Sequence, residues 1–408
     1  MRRFVSNFTV AATLTILAIG MAVSAQQPQA PLPEAPAGFD GKTNGYLAQN
    51  VMDDGADAFS ETETPLTGIG PIYNATSCTD CHQDVAVGGA AQIMEFRAGH
   101  TSRGEFFGGP STFTPATGVL ANGDTIPDRS LINQRAICAD TQEHVTSNDS
   151  TRAARLSLSI LGDGFVEAVP DQTLLAIAKK NRGQAIMVPA LEVSNTTEVG
   201  RFGWKDQHAS LLSFSGDAYF NEMGFTNFIF PDEITTVCEP PGVPHPNDQQ
   251  DDTHTFADFM RSTKVPPRGP ITADVLQGQL IFEQIGCASC HVETLQTAPA
   301  GTPIHGGAYM IPAAIGGKQF HPFGDYLLHD IGTGDGIQQN GPPETANKVR
   351  TMPLWGIRTR TQLLHDASAG TYSDAIERHQ REAGDEAFRF RRLTPAQRQL
   401  VYRFLGSL

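Results

Sequence analysis

The chain has 408 residues, with 29 lysines and arginines against 44 aspartates and glutamates, for a formal net charge of −15. That length exceeds one typical domain, so two are expected, and so acidic a chain argues against nucleic acid as a partner. The 40 glycines and 27 prolines predict long loops, and a loop-rich chain leans on a cofactor because the polypeptide alone buries less regular apolar surface.

The first residues read as an export signal. Arg2 and Arg3 precede the apolar run "FTVAATLTILAIGMAV", and the small residues Val23 and Ala25 flank a cut before Gln26. A retained membrane anchor is the alternative, but the run is short and the small-residue site follows at once. Residues 1–25 are therefore expected as a signal peptide, giving a periplasmic or otherwise exported protein with no membrane span after cleavage. Next, "QQPQAPLPEAPAG", residues 26–38, is expected as a disordered linker. A first domain should cover 39–264. The prolines of "KVPPRGPITAD" forbid a continuous helix there, and a second domain should cover 265–408.

The stretch "TSCTDCH", Thr76 to His82, opens the chemistry, and "GCASCH", Gly286 to His291, repeats it. Between them, "PDQTLLAIAKKN" and "SLLSFSGDAYFNEMG" carry helical spacing, and "CEPPGVPHPNDQQDDTH" reads as an exposed loop. "ITADVLQGQLIFEQIG" predicts a helix capped by Thr272 and stopped by Gly286. "TYSDAIERHQREA" predicts another. "TPAQRQLVYRFLGSL" closes the chain with a capping box from Thr394 and Gln397. Strand signals are few and short, so the fold class expected is mainly α with long loops.

Three chemistries use two cysteines at this spacing. A redox dithiol expects a βαβ setting, which the pattern lacks. Zinc needs four ligands, which the two pairs could supply, but it gives no reason for a histidine directly after each pair. Covalent haem gives one: both thiols add to the porphyrin vinyl groups and the adjacent imidazole reaches the iron. Two haem c groups are therefore expected, anchored by Cys78 and Cys81 and by Cys287 and Cys290, with His82 and His291 as axial ligands. Around the second motif the pattern resembles a class I cytochrome c domain, with Gly278 and Phe282 of one helix facing Tyr402 and Leu405 of the last. Cys138 and Cys238 remain. In an oxidising compartment a disulfide is the simplest reading, with two buried thiols as the alternative.

Four stretches, "GIGPIYNATSCTDCH", "RFGWKDQHASLLSFSGDAYFNEMG", "YLLHDIGTG" and "RTMPLWGIRTRTQLLHDASAGTYSDAIERHQ", resemble the exported dihaem c-type oxidoreductases, a peroxidase-like family once called thiol oxidoreductases. Together they cover nearly the whole mature chain. The family is similar, at a distance, to the bacterial dihaem cytochrome c peroxidases. The resemblance implies two cytochrome-c-like haem domains. The N-terminal haem would reduce hydrogen peroxide, and the C-terminal haem would relay electrons from a small redox donor protein. A dihaem electron carrier and an enzyme oxidising a partner protein are the rival readings. The resemblance also implies Trp204 as an aromatic between the haems and Glu222 as a distal acid; the balance of desolvation against the iron's positive charge is expected to leave that acid ionised and acting as a base. It gives His379 as second axial ligand of the C-terminal haem, and His100 as a resting-state ligand of the other. Glu167 is a weaker candidate for a second acid. Arg350–Trp355 marks a candidate calcium site. The chain departs from the relatives in having no proline before Glu222 and no obvious distal glutamine, which leaves the partner of that acid open.

Overall fold

Each Cys-x-x-Cys-His turn is preceded in sequence by a helix carrying a glycine and, one turn later, a phenylalanine. The computed structural model describes residues 32–103, 105–108, 129–145 and 147–408. The expected signal peptide, 1–25, and the first part of the expected linker lie outside these. Within them, residues 33–408 form one compact unit. Of the expected linker, residues 34 and 37 make bridges to Gln319 and Val265, and Ala35 is buried.

The helices are α1 Gln49–Ser60, α2 Asp163–Glu167, α3 Asp171–Asn181, α4 Leu211–Met223, α5 Asp252–Ser262, α6 Ala273–Gln284, α7 Tyr372–Glu377, α8 Gly384–Arg391 and α9 Pro395–Leu405. Their ends follow local chemistry. Thr272 Oγ1 accepts from the Val275 N–H at the start of α6, and Ser210 Oγ accepts from Ser213 N–H at the start of α4. Thr394 and Gln397 form the full capping box of α9.

Helices α6 and α9 cross at Gly278, where a Cβ would stand 2.0 Å from the Leu400 carbonyl oxygen. Beside the crossing, the Phe282 and Phe404 rings lie 5.1 Å apart. The facing residues are thus Leu400 and Phe404, not the expected Tyr402 and Leu405; Tyr402 packs on Phe390, at 5.9 Å. The N-terminal half repeats the arrangement. Gly55 of α1 lets Phe259 of α5 approach to 3.3 Å of where a Cβ would sit, and the Phe59 and Phe259 rings are 5.1 Å apart. Glycine and phenylalanine four apart share one helix face, so each helix offers a flat spot and an anchor to its partner.

The fold class needs correcting. Of the described residues, 32% are helical and 15% strand, a mixed α/β fold with many short strands rather than a mainly α one. Strand β1, Ile72–Tyr73, pairs antiparallel with β5, Arg135–Ala136. Strand β2, Met94–Ser102, pairs antiparallel with β3 Glu105–Gly108, β4 Leu131–Ile132 and β6 Thr151–Leu156. The sheet is hard to see in the sequence because "MEFRAGHTS" contains one β-branched residue and no steady apolar alternation. Two larger apolar cores form among the described residues. One gathers Phe59, Phe165, Phe202 and Tyr219 with Phe320 and Trp355; the other lies wholly within 275–408, around Phe282, Phe323, Phe390 and Phe404.

Candidate active site

A cavity of about 650 Å³ opens beside the first Cys-x-x-Cys-His turn, within the range of small-molecule and cofactor sites, roughly 300–1,000 Å³. Cys78, Cys81 and His82 line it, and so do Trp204 and Glu222. The turn is a short 3-10 helix, Cys78–Asp80, whose N–H groups are met locally: Ser77 Oγ accepts from Asp80 N–H. His82 Nδ1 is buried with no hydrogen-bond partner. Burial holds its pKa below the ordinary imidazole value, against weaker support from the backbone of Leu158 and Gly89. Burial pushes the Cys81 thiol up to about 12 and Cys78 higher still. A redox dithiol needs the opposite shift. Arg97, Arg129, Arg135 and Arg155 also line the cavity. Cysteines, imidazole and guanidinium groups together suit a haem with its two carboxylates.

Helix α4 forms one wall and places Glu222 on it. Asn74 Nδ2 donates to Glu222 Oε2 at 2.8 Å, which supplies the partner that the resemblance leaves open. The Asn74 and Ala75 N–H groups also donate to the Glu222 carbonyl, so the end of β1 is fixed to the end of α4. Strand β2 also lines the cavity, with Glu95 and Arg97, two apart, on the same side of it. Arg97 Nε donates to Glu95 Oε1 at 2.5 Å, and Arg155 lies 3.9 Å from the same oxygen. Burial would raise Glu95, but Arg97 and then Arg155 outweigh it and hold the carboxylate ionised. Burial first, then the charge on Glu95, pushes Glu222 well above the ordinary carboxylate range. Burial and the Glu95 charge thus favour the protonated form of Glu222, the direction opposite to the ionised base expected from the sequence.

At the second turn, the ring centres of His291 and His379 lie 6.5 Å apart, tilted by 52°. Two metal–imidazole bonds of about 2 Å, plus about 1.2 Å from each nitrogen to its ring centre, ask for ~6.4 Å. Each ring anchors its Nδ1, His291 to the Phe323 carbonyl at 3.0 Å and His379 to the Ala375 carbonyl at 2.7 Å. Nδ1–H donation to a carbonyl leaves Nε2 as the ligating atom. These residues fit an iron held from both sides.

Other singled-out residues fall as follows. Trp204 is buried, donates from Nε1 to the Leu156 carbonyl at 2.8 Å and meets His365 edge-on at 5.9 Å. His100 lies on β2 with Nδ1 3.3 Å from Asp149 Oδ1, and is not among the cavity-lining residues. Glu167 is not among them either. It accepts from Arg261 at 2.7 and 2.9 Å and from Leu211 N–H, and lies 3.2 Å from His305 Nε2, a buried structural role. Cys138 and Cys238 form a disulfide with Cα atoms 6.3 Å apart. At the Arg350–Trp355 segment, Arg350 Nε stands 3.9 Å from Asp206, whose two carboxylate oxygens are buried without hydrogen-bond partners. Asn74, Glu95, Arg97 and Arg155 are the site residues that sequence reading misses. Only the two-residue spacing of Glu95 and Arg97 signals them.

A cofactor-sized cavity on one Cys-x-x-Cys-His turn and an imidazole pair on the other define the class, a dihaem oxidoreductase. The chain belongs to the family described as "Di-haem oxidoreductase, putative peroxidase", whose model matches residues 133–408. The match includes the second Cys-x-x-Cys-His turn and begins after the first. No curated protein matches the chain. Among solved structures it is similar to Kuenenia stuttgartiensis hydrazine synthase, at 14% identity over 99% of this chain and 100% of that one, TM-score 0.41. It is also similar to a MauG-like protein associated with microbial copper homeostasis, at 14% identity, 94% and 95% coverage and TM-score 0.42. A diheme peroxidase from Burkholderia thailandensis gives 14% identity, 93% and 95% coverage and TM-score 0.42. The identification rests on the family match; these likenesses are too loose to add to it.

Proposed function

We propose that the chain reduces hydrogen peroxide at the first turn, with electrons entering through the second. The observation that carries this reading is the Glu222–Glu95 pair, two neighbouring carboxyl groups lining the cavity beside His82. Cys78 and Cys81 would hold one haem c covalently with His82 as an iron ligand, and Cys287 and Cys290 the other, with His291 and His379 as iron ligands. Bound there, the haems supply the electrons that break the peroxide O–O bond. The chain supplies protons. Glu222 gives its proton to the departing oxygen, and the pair takes one from the other oxygen, so no bulk proton is needed at the moment of cleavage. Asn74 holds the Glu222 carboxyl in place during both steps. Trp204, buried against the cavity, is the aromatic contact toward His365 and the segment that leads to His379.

A small redox protein is the donor in this reading. Export is supported by the Arg2–Ala25 pattern and by a disulfide suited to an oxidising compartment. Among the described residues no helix is long and apolar enough to cross a membrane. Calcium at the Arg350 segment is supported by the Asp206 carboxylate, a hard oxygen donor whose two oxygens are buried without a hydrogen bond.

Stopped-flow mixing of the holoprotein with peroxide tests the proposal. Glu222→Gln should slow oxidation by about 100-fold or more, the scale of a lost acid–base group. Reduction of the second haem by an external donor should stay unchanged. A parent protein inert to peroxide in every redox state would make this a dihaem electron carrier instead.

A further inference from the structure

The loop after α4 holds a side-chain cluster that the peroxide reading does not use. Glu233, Glu239 and His245 each bring one donor atom within 4.8 Å of the others. His245 Nε2 is 2.9 Å from Glu239 Oε1, and its Nδ1 is 3.8 Å from Glu233 Oε1. The Glu233 side chain is only 5% exposed, points at this imidazole, and leaves Oε1 buried with no hydrogen-bond partner. An imidazole at 3.8 Å is too far to supply that bond, and a buried carboxylate oxygen without a donor or cation is costly. Burial, and then the Glu239 carboxylate, pushes Glu233 up to about 8.

The stretch is held from both sides. Ile234 and Val237 pack with Ile72, Ala136 and Phe220, and Cys238 is bonded to Cys138. Two carboxylates facing one imidazole on an anchored backbone are a preformed donor set rather than a chance meeting of long surface side chains.

We propose that Glu233, Glu239 and His245 bind a divalent transition-metal ion of the zinc type. The chemistry selects the class. With no thiolate the set is too hard for copper(I), and with an imidazole it departs from the all-oxygen shells of calcium and magnesium. Two carboxylates neutralise the double charge, and three protein ligands leave a fourth position for water. Donors bound at about 2.0–2.2 Å around a four-coordinate ion stand roughly 3.3–3.6 Å apart. One donor atom from each of the three residues already lies within 4.8 Å of the others, so a small side-chain movement brings them to that spacing. The His245 side chain, 37% exposed, has room to turn one nitrogen onto the ion. The apolar cluster beneath the loop includes Ile72, on the strand leading to Asn74, and Phe220, on the helix of Glu222. The ion would thus brace the outer side of the two segments that carry the proposed proton-handling pair.

The test uses the full-length holoprotein, stripped of loosely held metal with a chelator and titrated with zinc chloride by calorimetry. One zinc per chain is expected, with a rise in thermal midpoint because zinc binds only the folded loop. Glu233→Gln and His245→Ala should each weaken zinc by about 100-fold or more, since loss of a ligand's mere supporting partner already costs roughly 10–100-fold. His254→Ala and His321→Ala remove exposed imidazoles paired with Asp251 and Glu34 and should leave zinc affinity unchanged. Absence of a one-to-one zinc site, or full affinity retained in His245→Ala, overturns the proposal. Should Glu233→Gln fail to keep its haem spectrum, the exposed His245→Ala carries the test alone. Peroxide reactivity is not part of the readout, so the two proposals fail separately.

Discussion

Glu222 feels Asn74 and Glu95 in opposite directions. The Asn74 amide donates to the carboxyl and favours its ionised form, while the Glu95 carboxylate disfavours it. Replacing each partner should therefore move the pH–rate profile for peroxide oxidation in opposite senses. Asn74→Ala removes a donor worth about 0.5–1.5 kcal/mol and should raise the Glu222 midpoint by up to ~1 pH unit. Glu95→Gln removes a negative charge and should lower it. Two profiles shifted the same way would mean that Glu222 does not set the midpoint. A second residue-scale prediction concerns His379. His379→Gly should turn the second haem from low to high spin in the EPR spectrum, because the ring 6.5 Å from His291 would be gone. Cys78, His82, Trp204 and Glu222 could be named from the sequence because each sits in a motif with its own spacing. Asn74 and Glu95 could not. Asn74 follows β1 and Glu95 lies on β2; each meets Glu222 only through tertiary pairing, and the spacing of Glu95 from Arg97 is the one local trace of it.

At the scale of elements, α6 and α9 were legible because caps and apolar spacing agree along one helix. Helix α7 shows where that reasoning stops. Its spacing continues past Glu377, yet Gln380 N–H donates to the Ile331 carbonyl and Glu382 N–H to Asp330. A distant segment takes the backbone, the helix ends, and His379 is left just beyond it, anchored to Ala375. The β2 sheet was missed for the same kind of reason: its strands are specified by their partners more than by their own residues. The two helix crossings make a graded prediction for Gly→Ala changes. Gly278→Ala drives a Cβ into the Leu400 carbonyl and should destabilise by about 1–3 kcal/mol, the usual cost of overpacking. Gly55→Ala meets Phe259 Cβ at 3.3 Å and should cost less. Gly384→Ala meets nothing within 4 Å and its φ is not positive, so it should be neutral or stabilise by about 0.4–1 kcal/mol. Chemical denaturation should rank the three in that order. Equal effects at Gly278 and Gly384 would mean that the α6–α9 contact adds little to stability.

Across the whole molecule, the cavity wall is tied to the C-terminal half by buried charge. Arg155 on β6 reaches Asp335 at 2.7 Å, and Lys205 reaches the same carboxylate at 3.1 Å. Lys205 also donates to the carbonyls of Thr345, Ala346 and Lys348. Neither cation side chain is exposed at all, and the Asp335 side chain is 2% exposed. Burial alone would raise the Asp335 pKa, but Arg155 and then Lys205 outweigh it and hold it at about 2. A carboxylate whose folded pKa is depressed adds stability above its unfolded value and loses it as pH falls through the folded one. From an ordinary 3.8 down to about 2, the linked contribution is roughly 2–3 kcal/mol. Asp335→Asn should do more damage than that at pH 7, about 3–5 kcal/mol, because it leaves two buried cations without their anion. The comparison with pH is the sharper test. Near pH 7 the parent holds the full charge and the gap between parent and variant should be widest. As the pH falls toward 2 the parent's own Asp335 takes up a proton and becomes nearly the variant, so the gap should close by roughly 2–3 kcal/mol. Urea unfolding of both proteins across that range measures it directly. A gap that stays constant with pH would mean that Asp335 acts through shape and packing, and that the charge joining the two halves contributes nothing to holding them together.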